Sequence, residues 1–212
     1  MSIGHTVVLL PGVHDSSSLT TALKAALDDA ARVLTPDITV STTTTVVLED
    51  PALRVLNTIN SGGTDRAVLV GHGWGSMVAL QVAATHGQLV AALMLSTNAH
   101  LETILVRSLY YGILNLLPAA IVQQLGARPP DVLNLLDQVR PADFKSLAAR
   151  VTAPALVVVG EHDVANRGPS ATLARSLALG NLRVMPHAGA GWRAQQPQVV
   201  ATLLVEFISS LT

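Results

Sequence analysis

Val68-Leu69-Val70-Gly71-His72-Gly73-Trp74-Gly75-Ser76 decides the architecture. Val68 to Val70 continue an apolar run from Arg66 that is too short for a helix and has no polar alternation. Such a run reads as a strand buried on both faces. Three glycines at alternate positions follow, and then Trp74 to His86 carries apolar residues at helical spacing up to Gly87. A strand that enters a glycine-rich turn and leaves at once as a helix is the start of a β-α unit. The glycines imply a turn with unusual backbone angles or very close neighbours.

The same alternation extends in both directions. Thr6 to Leu10 and Arg32 to Thr35 read as strands, the first stopped by Pro11-Gly12. Ser18 to Ala31 and the segment from Asp50-Pro51 to Ser61 read as helices, with proline just inside the second. Beyond the central unit, Val90 to Ser96, Ala155 to Val159 and Leu182 to Met185 read as strands. Pro169 to Leu179 and Pro197 to Leu211 read as helices. The expected fold class is α/β: a mostly parallel sheet of about six strands with helices on both faces. Between Asn98 and Arg150 the alternation breaks, and only helical segments appear. Residues 99–150 are therefore expected to form a small helical cap insertion, and 1–98 with 151–212 the core.

Composition narrows the function. The chain has 212 residues, enough for one large core. Half are hydrophobic and only 3% aromatic, so aliphatic side chains must fill that core. A net charge of −1 supplies no basic footprint for nucleic acid or an anionic membrane. The longest apolar stretch, Thr103 to Val122, is interrupted by Arg107, Asn115 and Pro118, which argues against a membrane span. There is no cysteine, hence no disulfide and no thiolate nucleophile or ligand. Met1 to His5 show no signal-peptide pattern, so a cytoplasmic location is expected.

The glycine turn resembles the nucleophile elbow of the α/β-hydrolase superfamily, in its compact esterase or haloperoxidase-like branch. The family's elbow is Gly-x-Ser-x-Gly; Gly71-His72-Gly73-Trp74-Gly75 has glycine where the serine belongs. Three further segments follow the family's order. Leu9-Leu10-Pro11-Gly12-Val13 resembles the segment that supplies one oxyanion-hole N–H. Gly160-Glu161-His162-Asp163 resembles the strand end that carries the triad acid. Pro186-His187-Ala188-Gly189-Ala190, followed by Pro197, resembles the last loop, where alanine stands at the histidine position. The resemblance runs from Thr6 onward and implies a sheet without the two leading strands of larger members.

A hydrolase of this kind needs a hydroxyl, a base and an acid that orients the base. Gly73 and Ala190 remove the first two. Asp163 remains, with Val13 and Trp74 as backbone N–H donors. The candidate catalytic groups are therefore Asp163, His14 and His187. Val13, Gly73, Trp74, Asn98, Tyr110 and Ala190 are candidate ligand-binding positions. Each also has a plain structural reading. Asp163 could cap the loop, His72 could hydrogen-bond below the turn, and Ser76 could be a packing residue rather than a displaced nucleophile.

Three functions fit these residues. One is non-hydrolytic acid–base chemistry of lyase, cyclase or isomerase type on a small, largely apolar carbonyl compound. A second is a pseudoenzyme that binds a small molecule or a protein. A third is a serine hydrolase inactivated by Ser-to-Gly and His-to-Ala replacement. No cofactor or metal is expected, and the partner is an apolar small molecule; a homodimer is one assembly open to the chain.

Overall fold

The structure is a computed structural model that describes residues 5–12, 15, 17–27, 30–39, 48–96, 144–189 and 191–211. Six parallel strands form one sheet: β1 Thr6–Leu10, β2 Arg32–Leu34, β3 Ala67–His72, β4 Val90–Ser96, β5 Ala155–Gly160 and β6 Gly180–Met185. Their spatial order is β2-β1-β3-β4-β5-β6. The parallel α/β sheet expected from the strand runs is therefore present. The helices are α1 Ser17–Leu27, α2 Glu49–Ser61, α3 Trp74–Thr85, α4 Phe144–Arg150, α5 Val164–Ser176, α6 Trp192–Gln195 and α7 Pro197–Ser209.

Alternate strand residues feed two cores. Val8 and Leu10, Leu69, Leu93 and Leu95, and Val157 face one layer with α2, α3, α4 and the end of α5. Val7 and Leu9, Val68 and Val70, Met94, and Leu156 and Val158 face the other layer, against α1, α6 and α7. Continuous apolar strands thus follow from burial on both faces. Burying one such leucine, as at fully enclosed Leu93, contributes about 1.5–3 kcal/mol. α3 lies deepest, with Trp74 to Ala83 all buried.

Two elements differ from the sequence reading. The helix expected to open at Pro169 begins five residues earlier, at Val164, and Pro169 lies inside it. The Asp163 side chain caps the new start by accepting from Asn166 N, and that cap outweighs the proline as a boundary signal. β6 begins two residues before the expected Leu182 and is the edge strand of the described sheet, with Asn181 to Val184 exposed. Of the segment expected to form a cap, only α4 lies within the described residues. It packs Phe144, Leu147 and Ala148 into the α3 layer. Among the described residues no helix is long and apolar enough to cross a membrane.

The contact between α3 and the sheet is unusually close. A Cβ built on Gly75 would stand 1.9 Å from the Leu10 carbonyl oxygen, and one on Gly71 would stand 2.6 Å from Ser76 Cα. Both clashes are with backbone, which cannot swing aside. Gly75→Ala is therefore expected to lose about 3 kcal/mol or more, the upper range for overpacking. Urea unfolding measures this, and an unchanged midpoint would show that α3 can lift from β1 without cost.

Candidate functional site

The elbow sits at the carboxyl end of β3, where open α/β sheets bind ligands. Gly73 has φ +49° and ψ −112°, a conformation that favours glycine. Its N–H donates to Ser96 O at 2.9 Å, and its carbonyl accepts from Ser76 N at 3.0 Å. Among the described residues, the nearest atom to a Cβ built there is Gly12 Cα at 4.0 Å. The described residues therefore leave room for a side chain, and it is the backbone angle that opposes one.

Ser76 is buried and its Oγ donates to Ser96 O at 3.0 Å while accepting from Ser96 N at 3.3 Å. Both directions of the hydroxyl are used in holding α3 to β4, which is the packing reading of this residue. Trp74 buries its indole, and Nε1 donates to Ile38 O at 2.9 Å. What Trp74 offers a ligand is its backbone N–H, which opens α3. Among the described residues no group accepts from it, as expected for a first-turn N–H.

His72 lies below the turn. Its Nδ1 is 3.1 Å from Ser96 Oγ, and its Nε2 is 3.6 Å from Asp15 Oδ1. Asp15 also accepts from Gly12 N at 2.8 Å and stands 3.8 Å from Arg193 Nη1. Arg193 is buried, and among the described residues Nη1 has no hydrogen-bond partner. Burial lowers the pKa of that guanidinium, and the Asp15 charge opposes the shift. Burial is also the main cause that pushes His72 down to about 3; Arg193 adds to it, and Asp15 and the Ser96 backbone oppose it. The imidazole is therefore neutral near pH 7, and the charged pair below the elbow is Asp15 with Arg193.

Sequence reasoning placed His72 here but missed Asp15 and Arg193. Asp15 carried one local signal, its position three residues after Gly12 at the end of β1. Arg193 carried none, because a charged residue in the first turn of α6 reads as solvent-facing.

Asp163 lies at the end of β5 and is buried. Oδ1 accepts from Asn166 N at 3.3 Å, and both oxygens are 2.8 Å from Asn166 Nδ2. The capping reading thus describes its contacts. His187 occupies an exposed turn after β6 at φ +57°. Its neighbours are Glu161 and His162, and among the described residues no contact joins it to Asp163. His14, Val13, Asn98, Tyr110 and Ala190 lie outside the described residues.

The strand–elbow–helix unit is thus accompanied by an acid just after the next strand but one. A family model described as alpha/beta hydrolase family matches residues 7–203. The chain belongs to the alpha/beta hydrolase family. No curated protein sequence matches it significantly. Among solved structures it is similar to an esterase from Thermogutta terrifontis, with TM-score 0.74 and 20% identity over 99% of this chain and 91% of that one. It is also similar to the enol-lactonase from Burkholderia xenovorans LB400, with TM-score 0.72 and 18% identity over 97% and 91% of the two chains. The meta-cleavage product hydrolase from Pseudomonas fluorescens IP01 superimposes with TM-score 0.71 and 15% identity, over 100% of this chain and 93% of that one. At these identities the likeness is one of fold.

Two outcomes are expected of this site. Gly73→Ser should lose about 1–3 kcal/mol, the cost of a non-glycine residue in such a conformation, because no described residue clashes with the new side chain. An unchanged unfolding midpoint would show that the elbow relaxes. The second concerns His72. An unfolded-chain imidazole titrates near 6.5, so the unfolded chain takes up a proton that the folded site resists. The stability linked to His72 is complete above about pH 6.5 and falls as pH drops toward 3. Thermal melts from pH 7 to 4 should fall less steeply for His72→Gln than for the unaltered chain. Parallel curves would contradict a neutral buried ring.

Proposed function

We propose that this member of the family binds a small, largely apolar carbonyl compound at the elbow and does not hydrolyse it through an acyl-enzyme. The carrying observation is the pairing of an intact elbow with an absent nucleophile. The strained turn and the first N–H of α3 are present, while among the described residues nothing fills the place beside Gly73 where a hydroxyl would stand. Ser76, the nearest hydroxyl along the chain, is spent on Ser96. A backbone N–H in such a turn can still receive a carbonyl oxygen.

Asp163 separates binding from non-hydrolytic acid–base chemistry. Its place just after β5, at the sheet edge where open α/β sheets bind ligands, favours the second reading. Its bonds to Asn166 favour the first, since they occupy both oxygens in holding α5. Asp163→Asn is a mild substitution here. Asparagine is a good N-cap, and its Oδ1 can still accept from Asn166 N and Nδ2.

Three measurements test the proposal. Activated esters should give no product burst, and a fluorophosphonate should label no serine. Small ketones, lactones or esters should raise the melting temperature without being consumed, in the unaltered chain and in Asp163→Asn alike. A serine labelled one-to-one would overturn the non-hydrolytic reading. Turnover of such a compound that drops roughly 10²–10⁴-fold in Asp163→Asn would instead establish Asp163 as a general base.

A further inference from the structure

We propose that Glu161, His162 and His187 form a binding site for a zinc-like divalent cation that ties the loop after β5 to the loop after β6. One ligand atom from each side chain lies within 4.8 Å of the other two. Two imidazoles and one carboxylate are donors that suit zinc and its neighbours in the transition series, and imidazole disfavours magnesium and calcium.

The geometry is open rather than closed by protein bonds. His187 Nδ1 and Glu161 Oε2 are 3.9 Å apart, beyond hydrogen-bond length. The rings of His162 and His187 are 6.4 Å apart and tilted by 47°, so they do not stack face to face. Zinc bonds of about 2.0–2.2 Å place tetrahedral ligand atoms roughly 3.4 Å from one another. Closing from the present spacing needs side-chain rotation of about an ångström, and water completes the coordination. All three side chains are accessible, that of His187 almost wholly so at 92% exposure.

The backbone beneath the cluster is already fixed. Glu161 N donates to Met185 O at 2.9 Å, and His162 N donates to Ala188 O at 2.8 Å. His187 N donates to Glu161 Oε2 at 2.8 Å. That bond uses one carboxylate oxygen of Glu161, and a carboxylate has a second oxygen that can ligate. Gly160 lets the two loops approach, since a Cβ there would stand 2.4 Å from Ala188 O. His187 keeps its left-handed backbone, unfavourable for a side-chain-bearing residue, in the turn that sets its imidazole beside the other two. Arg167, whose Nη1 is 3.4 Å from Glu161 O, is the neighbouring cation that an incoming ion must outweigh.

The test uses the whole chain without any polyhistidine tag and zinc chloride as the probe. Calorimetry should show one saturable zinc ion per chain, and zinc should raise the melting temperature while magnesium does not. His162→Ala, Glu161→Gln and His187→Asn should each weaken zinc binding by roughly 10–100-fold or more, at least the loss known for residues that only support a ligand. Asparagine at 187 tolerates the left-handed backbone, and glutamine at 161 can still accept from His187 N, so both variants should fold as the unaltered chain does. Absence of saturable zinc binding would overturn the site. So would binding of unchanged affinity in the His162→Ala, His187→Asn double variant, which would place the ion elsewhere.

Discussion

The backbone contact between Gly75 and Leu10 governs the rest of the molecule. With no Cβ at Gly75, α3 settles directly on the end of β1. Gly71 permits the same approach to the first turn of the helix, and Ser76 then reaches Ser96 on β4. One helix is thereby fixed to three adjacent strands within a few residues of the elbow. The angle at Gly73 is the price of that closeness, since the chain must reverse between His72 and Trp74 without room to widen. The site is thus a product of packing constraints that hold whether or not a nucleophile stands at the turn.

Below the elbow the molecule keeps an ion pair of a buried Arg193 with a partly buried Asp15, and a neutral imidazole beside it. Desolvating such groups is costly and the attraction between them only partly offsets it, so a pair like this is weak evidence for stability by itself. Its position has more to say. Asp15 follows the turn after β1, His72 precedes the elbow glycine, and Arg193 opens the helix just after the last loop. The network therefore joins the three segments that surround the position of the missing hydroxyl. Asp163 plays a comparable part on the other side, where its carboxylate starts α5 through Asn166. These polar groups at the edge of the sheet are thus engaged in holding loops together.

Much of this was legible in the chain. The strands from Thr6 to Leu10, Ala67 to His72 and Val90 to Ser96 announce themselves as continuous apolar runs because both of their faces are buried. Gly71 and Gly75 mark the elbow because a Cβ at either would run into backbone, and Gly73 because its positive φ favours glycine. The start of α5 was misread at Pro169, since proline is a strong local boundary signal, whereas capping by Asp163 depends on how the preceding strand ends. Arg193 was invisible for a different reason. Its meaning comes from Asp15, at the opposite end of the chain, and no local pattern records that meeting.

The sequence by itself determined the β/α alternation, the family's order of landmarks and the absence of a hydroxyl at the elbow. Those properties follow from residue type and short-range spacing, which hydrophobic burial and backbone sterics translate directly into structure. Only the tertiary structure decided which polar groups meet. It set His72 against Ser96 and Asp15, turned Asp163 toward Asn166, and brought Glu161 and His162 beside His187. Parallel strands place residues far apart in the chain at one edge of the sheet, and the register of β5 with β6 settles which of them become neighbours.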